Sequence, residues 1–214
     1  MTILDFPIQF PSVGNMDEDG LIALGGNLLP ATLLLAYRQG IFPWYNDGEP
    51  ILWWCPNPRC VLFPHQLKVS KSMQVVIRKN DFRFSVNEAF DAVINQCKII
   101  NQKKHEGTWI TDDITLAYTQ LYLLGHAHSA EAWLGNELVG GLYGILIGKV
   151  FFGESMFSKV SNASKFAFIR YMQLLQIQGI ELIDCQMPTN HLQSLGAVMI
   201  QRTTFIELLN EYCC

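Results

Sequence analysis

Three strand-like segments in the second half of the chain constrain its fold most. The segments are Ala127–Leu134, Glu137–Ile147 and Lys149–Phe157. Gly135-Asn136 and Gly148-Lys149 separate them, and both pairs contain the residues that two-residue hairpin turns require. The pattern predicts an antiparallel meander of three strands.

The segments after the meander extend this pattern into a mixed sheet. A long helix is predicted from about residue 162 to residue 178, and Ile180–Gln186 is predicted to be a short apolar strand. A short helix near His191–Leu195 is expected to lead to a last strand around Met199–Phe205. This order of elements is found in the acetyltransferase (GNAT) superfamily. We therefore predict an α+β fold, with an acetyltransferase-like mixed sheet and flanking helices after a smaller N-terminal α/β region. Fold alone does not fix function.

In the first half of the chain the segments that predict secondary structure are shorter. We predict an N-terminal region over residues 1–66, which carries an aromatic segment, and an acyl-transfer domain over residues 67–214. Helices are expected over Pro30–Gln39 and Ser70–Asn80, with Asn87 and Thr111 as the N-caps of two more.

The aromatic segment covers Ile41–Arg59 and contains three of the five tryptophans, Trp44, Trp53 and Trp54, among four prolines. Prolines stop helices and central strands, so the segment is expected to be rigid and irregular. Its rings could stack on nucleobases or sugars. They could equally form a plug over the core, and the segment by itself does not decide between these alternatives.

Composition narrows the class of protein. Half of the 214 residues are hydrophobic and 16% are charged, which predicts a sizeable core. No apolar run is long enough to span a membrane, and the N-terminus lacks a basic-then-apolar signal, so we expect a cytoplasmic protein. The net charge of −4 argues against a general nucleic-acid coat protein. The six cysteines lack the paired spacing of a zinc site and are expected to be reduced.

Polar residues at two strand ends are candidates for chemistry. In the predicted strand Lys149–Phe157, Glu154 and Met156 are expected to share one face. In the predicted strand Ile180–Gln186, Asp184 and Gln186 share one face at the end of an apolar run. Asp184 could instead cap the next turn or pair with an arginine. Basic residues, among them Lys71, Arg78 and Lys79, form a strip that could contact phosphates or be a solvated helix face.

Sequence blocks along nearly the whole chain resemble the bacterial leucyl/phenylalanyl-tRNA–protein transferases. The blocks are Gly20–Gly26, Ala36–Trp44, Ile51–Arg59, Glu106–Thr111, Gly125–Ser129, Gly153–Ser158, Asn162–Lys165, Leu182–Gln186 and Ser194–Ala197. The resemblance implies an aminoacyltransferase of the N-degron pathway of protein degradation. It would move Leu or Phe, and also Met, from aminoacyl-tRNA to proteins that begin with Arg or Lys. It implies no cofactor and no metal, and we expect a monomer.

The resemblance also assigns residues. It implies that Asp184, Gln186 and Glu154 are catalytic, with Gln186 orienting the attacking amine. Asp184 would polarise Gln186 or attract the cationic substrate, and Glu154 would help to hold the basic N-terminus. Alternatively, a tRNA hydroxyl takes part in the proton transfer. The site for the aminoacyl-adenosine would comprise Tyr37, Trp44, Trp109, Met156 and Leu142, and the tRNA backbone would contact Lys71, Arg78 and Lys79.

Two other functions are compatible with parts of the pattern. A coenzyme A-dependent acetyltransferase needs a glycine-rich turn before the helix that follows the meander. Here Ser158–Lys165 contains no glycine, which disfavours it. A non-catalytic module could bind RNA or sugar through Trp44, Trp53 and Trp54, but it leaves Asp184 and Gln186 without a role.

Overall fold

The computed structural model describes residues 2–4, 8–12, 20–105 and 108–213, without the side chains of residues 103–105. Glu106 and Gly107, which begin one of the sequence blocks, lie outside the described residues. Within the described residues the strands form a four-stranded and a seven-stranded sheet. The strands are β1 Thr2–Leu4, β2 Leu21–Gly25, β3 Phe42–Pro43, β4 Leu52–Trp54, β5 Arg59–Leu62, β6 Arg83–Val86, β7 Ala127–Leu134, β8 Glu137–Ile147, β9 Val150–Ser158, β10 Leu182–Gln186 and β11 Val198–Ile200.

The large sheet has the order β11-β5-β10-β9-β8-β7-β6. Strands β7, β8 and β9 form the predicted antiparallel meander, and β10 pairs with β9 in parallel. Strand β5 lies antiparallel between β10 and β11. The predicted α+β class with an acetyltransferase-like order of elements is confirmed. The division of the chain into residues 1–66 and 67–214 stays a prediction. Strand β5 lies within residues 1–66 and nevertheless belongs to the large sheet.

Helices cover both faces of the large sheet. They are α1 Pro30–Arg38, α2 Lys71–Lys79, α3 Phe90–His105, α4 Asp112–Leu123, α5 Ala163–Ile177, α6 Asn190–Ser194 and α7 Arg202–Tyr212. Residues of α1, α3, α4 and α7 bury their apolar side chains in one core cluster, and residues of α2 and α5 contribute to a second. The predicted cap at Thr111 is confirmed, since its side chain accepts a hydrogen bond from the N–H of Ile114.

Two local predictions are wrong. Asn87 does not cap a helix, because its backbone is left-handed and its side-chain oxygen accepts the Ser129 N–H at 2.9 Å. It ties β6 to β7, and α3 begins only at Phe90. The last strand ends at Ile200, and Phe205 lies in α7, a helix that the sequence reasoning missed. The spacing of four residues between Phe205 and Leu209, both buried, fits this helix better than a strand.

The glycines of β8 permit close approach of the backbone. A Cβ on Gly140 would lie 2.6 Å from the Cβ of Ala163, so α5 can pack directly on the strand. At Gly144 the pairing of β8 with β9 shifts by one residue. This shift is a β-bulge, and it places the first residue of the candidate site.

Candidate active site

The bulge in β9 turns Glu154 toward helices α1 and α4. Tyr143 pairs with Ser155 and Gly144 with Gly153, so Glu154 is the extra residue without a partner on β8. Its carboxyl group accepts hydrogen bonds from the hydroxyl groups of Tyr37 and Tyr118, at 2.8 and 3.0 Å. Met156 packs instead against the cluster that contains α5. The prediction that Glu154 and Met156 share one face is therefore wrong, because a bulge breaks the simple alternation of a strand.

The surroundings of Glu154 favour a carboxyl group that can gain and lose a proton near neutral pH. Burial raises the pKa of Glu154 to about 7, although the hydrogen bonds from Tyr37 and Tyr118 act in the opposite direction. A group with such a pKa is suited to proton transfer at physiological pH.

Asp184 is held in a buried ion pair with Arg59. The guanidinium group donates from Nε to Oδ1 at 2.8 Å and from Nη2 to Oδ2 at 2.6 Å. Both side chains are fully buried, and Arg59 lies between the rings of Phe42 and Phe205. The alternative that Asp184 pairs with an arginine is the one that the structure shows. The charge of Asp184 is therefore compensated by Arg59 and shielded from solvent.

Gln186 connects Asp184 to Glu154. A second bulge lies between Asp184 and Gln186, and the backbone of Gln186 is left-handed, with φ of 59°. Its N–H donates to Asp184 Oδ1 at 2.9 Å, and its side-chain amide donates to Glu154 Oε1 at 3.0 Å. The amide nitrogen is anchored on Glu154, and the amide oxygen is an acceptor that can bind a donor group of a ligand.

Two cavities of about 380 Å³ each share Glu154, Gln186 and Met187 in their walls. The aromatic cavity is also lined by Phe42, Pro43, Trp44, Asn46, Asn101, Thr108 and Trp109. The apolar cavity is lined by side chains that include Leu142, Met156, Phe168, Ile183 and Leu192. The carboxyl group of Glu154 and the amide of Gln186 therefore stand where a ligand in one cavity would meet a ligand in the other.

The tryptophans of the aromatic segment differ in their exposure. Trp53 is fully buried and donates its indole N–H to the carbonyl oxygen of Gly25 at 2.9 Å. Trp44 is 50% exposed and contacts the edge of Trp54. Trp44 and Trp109, both named from the sequence, line the aromatic cavity, while Trp53 is a core residue. The expectation of an irregular segment is wrong in part, because β3 and β4 pair within it.

Four other residues named from the sequence lie in different surroundings. The ring of Tyr37 is fully buried, so it cannot stack on a nucleobase, and it reaches the site through its hydroxyl group. The exposed residues Lys71, Arg78 and Lys79 lie on α2, and none of the three lines either cavity.

Sequence reasoning missed two residues of this cluster. Tyr118 lies on α4, 36 positions before Glu154, and Arg59 lies 125 positions before Asp184. An arginine at the start of the apolar strand β5 is the signal that could have identified Arg59 as the partner of a buried carboxylate.

Comparison with known proteins agrees with the motifs. Residues 61–210 match the model of the leucyl/phenylalanyl-tRNA protein transferase family, and residues 26–57 match the model of its N-terminal domain. The chain belongs to this family. A leucyl/phenylalanyl-tRNA–protein transferase from Syntrophus aciditrophicus is 53% identical over 204 residues, which cover 95% of this chain and 85% of that protein. One from Christiangramia forsetii is 51% identical, covering 94% of this chain and 96% of that protein.

A solved structure is also similar to this member of the leucyl/phenylalanyl-tRNA protein transferase family. It is a conserved protein of unknown function from Bacteroides thetaiotaomicron, with a TM-score of 0.49 and 15% identity, covering 84% of this chain and 66% of that chain. Within the part of the chain that is described, no helix has both the length and the apolar character needed to cross a bilayer.

Two backbone N–H groups at the start of α5, where a coenzyme A-dependent acetyltransferase would bind an anion, are hydrogen-bonded within the protein. The N–H of Ala163 donates to the carbonyl oxygen of Val160 at 3.3 Å. The N–H of Ser164 donates to the hydroxyl group of Ser158 at 3.2 Å. Since these first-turn donors are satisfied within the protein, they are not free for a pyrophosphate.

Proposed function

We propose that this protein transfers leucine or phenylalanine, and also methionine, from aminoacyl-tRNA to the N-terminal Arg or Lys of acceptor proteins. The product carries a new peptide bond and an N-terminal residue that marks the protein for degradation. The observation that carries the proposal is the position of Glu154 and Gln186 in the wall between an aromatic and an apolar cavity. Family membership supports the same activity.

The aromatic cavity suits the terminal adenosine of the tRNA. Base stacking on an aromatic ring contributes about 1–3 kcal/mol per base. Trp44 and Trp109 supply such rings, and Asn46, Asn101 and Thr108 supply hydrogen-bonding groups beside them. An adenosine held there would place its ester near the wall that contains Gln186.

The apolar cavity suits the side chain of the transferred amino acid. Leu142, Met156 and Phe168 give the cavity an aliphatic and aromatic lining, in which the flexible Met156 can adapt to either leucine or phenylalanine. Discrimination between two apolar side chains in such a cavity is worth only about 1–3 kcal/mol per methylene. A cavity of this kind therefore accepts a small set of apolar amino acids.

The reaction needs positioning and one proton acceptor. The tRNA ester is already activated, and a free α-amine has a pKa near 8, so a useful fraction is neutral at pH 7. We infer that the amide oxygen of Gln186 orients the amine as its nitrogen attacks the ester carbonyl carbon. As the C–N bond forms and the ester C–O bond breaks, Glu154 takes a proton from the amine and can return it to the leaving tRNA hydroxyl oxygen. This step needs neither a metal ion nor a coenzyme.

The ion pair beneath the site keeps Gln186 in its position. Asp184 accepts the N–H of Gln186, and Arg59 fixes Asp184 through two hydrogen bonds. The positive φ of Gln186 is tolerated because these contacts over-determine it. Asp184 and Arg59 are therefore positioning residues in this mechanism.

We propose that helix α2 contacts the tRNA backbone through Lys71, Arg78 and Lys79, which are exposed on one short helix. Replacing both Lys71 and Lys79 by alanine should weaken binding of charged tRNA. It should also reduce the salt dependence of log Kd by up to about 2, since each lost phosphate contact on a duplex removes about 0.9. Binding would be measured over a range of salt concentrations. The matched control replaces Lys149 and Lys159, and equal effects in both double variants would contradict the assignment.

Charged tRNA is a cytoplasmic substrate, so we place the activity in the cytoplasm. The residues proposed to act on the substrates belong to one chain, and we propose that a monomer is the active form. Size-exclusion chromatography with light scattering, run at the protein concentration of the transfer assay, would contradict this if it showed a dimer.

The test of the proposed function is transfer of labelled phenylalanine or leucine from charged tRNA to short peptides. We expect transfer to peptides that begin with Arg or Lys and none to an otherwise identical peptide that begins with Ala. The measurement is the fraction of labelled peptide after a fixed time. Binding of charged tRNA without transfer to any peptide would instead support a non-catalytic RNA-binding module.

A further inference from the structure

The carboxyl group of Glu154 is held by donors on three different elements. Oε1 accepts from the Tyr37 hydroxyl at 2.8 Å and from the Gln186 amide at 3.0 Å. Oε2 accepts from the Tyr118 hydroxyl at 3.0 Å. The two tyrosine hydroxyls are also in hydrogen-bond contact with each other. Among the described residues, Tyr118 is the donor that fixes the oxygen Gln186 does not touch.

The position of Tyr118 is itself well defined by packing. Its side chain is fully buried, and its ring meets the edge of the Tyr143 ring at a centroid distance of 5.7 Å. A buried hydroxyl group held in this way has little freedom to move away from Glu154, so its hydrogen bond to the carboxyl group is pre-organised. The charged or titratable groups that act on Glu154 from the surrounding elements are Tyr37 on α1, Tyr118 on α4, Tyr143 on β8, Arg59 on β5 and Asp184 on β10.

We infer that Tyr118 is a positioning residue of the transfer reaction, which orients the Glu154 carboxyl group and sets the pH range in which that group can take the proton of the attacking amine. The inference rests on the proposed function. A hydroxyl donor stabilises the ionised carboxyl group, which is the form that accepts a proton. Removing the hydroxyl group of Tyr118 leaves Glu154 as buried as before. It takes away one of the hydrogen bonds that oppose the effect of burial on the pKa of Glu154.

The direction of the effect follows from the hydrogen bond. The bond from Tyr118 lowers the pKa of Glu154, so Tyr118→Phe should raise it. The loss of one hydrogen bond to a charged carboxyl group corresponds to a rise in its pKa of about one unit. Transfer by Tyr118→Phe should therefore be about tenfold slower than wild type at pH 6 and nearly equal to it at pH 9. The acceptor amine titrates in the same range, but it contributes equally to both proteins and cancels in their ratio.

The experiment measures kcat/KM for transfer from Phe-tRNA to an Arg-beginning peptide, from pH 6 to pH 9. Wild type, Tyr118→Phe and Tyr122→Phe are compared. Tyr122 is the matched control, because it lies one turn along α4 and its hydroxyl donates to the carbonyl oxygen of Asn87, outside the site. Thermal unfolding of all three proteins shows that each is folded over this pH range.

Three outcomes are distinguishable. A ratio of Tyr118→Phe to wild type that rises with pH, with a flat ratio for Tyr122→Phe, supports the inference. A ratio for Tyr118→Phe that is flat with pH, whether near one or uniformly low, overturns it, because a merely structural defect does not depend on the protonation of Glu154. No transfer by the wild type at any pH defeats the proposed function and the inference with it.

Discussion

Replacing Arg59 by alanine should destabilise the protein by about 3–5 kcal/mol, because it leaves Asp184 as an unpaired charge in the interior. Both side chains of the pair are fully buried, so bulk solvent does not solvate the charge of Asp184 in the intact fold. The variant also loses the contacts of the guanidinium group with the rings of Phe42 and Phe205. The measurement is urea-induced unfolding, and a destabilisation of this size would shift the midpoint strongly.

Two variants control for the cause of this loss. Arg83→Ala removes an arginine from an ion pair with Glu88, but both side chains are 50% exposed, so we expect little change in stability. The double variant Arg59→Met with Asp184→Leu removes both charges, and it should recover most of the stability that Arg59→Ala loses. If Arg59→Ala and Arg83→Ala were equally mild, the buried pair would not have the role assigned to it.

The sequence predicted those parts of the fold that depend on local pattern. Strands β7 and β8 match their predicted bounds, because glycine turns and a strict change of polarity mark the ends of these strands. Helix α7 was missed, since its segment Thr203–Ile206 consists of β-branched and aromatic residues, which are enriched in strands. The position of Asn87 depends on contacts with β7, 41 and 42 positions away, which no local rule contains.

The candidate site was predictable to a similar extent. Glu154, Asp184 and Gln186 stand out because polar residues at the ends of apolar strands are unusual, and the structure brings all three together. The direction of the Glu154 side chain could not be predicted, because it depends on a bulge opposite Gly144. Tyr118 could not be named either, since a tyrosine on a helix with a largely apolar inner face resembles any other core aromatic residue.

Replacing Glu154 by glutamine should slow transfer by about 10²–10⁴-fold, the usual contribution of a positioned proton acceptor. Glutamine has nearly the same shape: its amide oxygen can still accept from Tyr37, and its amide nitrogen can donate to the hydroxyl oxygen of Tyr118, so the two cavities should keep their form. It cannot take a proton at neutral pH. Binding of charged tRNA should therefore change little while the chemical step fails.

The same substitution should not destabilise the fold at pH 8. Burial raises the pKa of Glu154 from its usual 4.5 to about 7, so folding favours the protonated group. The stability associated with that proton is present below pH 4.5 and is lost as the pH rises to about 7. At pH 8 the wild type contains a partly buried carboxylate and the variant a neutral amide, so the variant should be at least as stable. Thermal unfolding at pH 5 and pH 8 measures this difference.

Single-turnover transfer tests the role of Glu154 most directly. Labelled Phe-tRNA is bound first, a peptide that begins with Arg is added at pH 8, and the rate of peptide labelling is measured for wild type and Glu154→Gln. Glu137→Gln is the matched control, because Glu137 lies in an exposed ion pair with Lys159, outside the site. We predict a rate at least about 100-fold lower for Glu154→Gln alone, with equal binding of charged tRNA. An unchanged rate would contradict this account and would assign the proton transfer to another group, such as a hydroxyl of the tRNA.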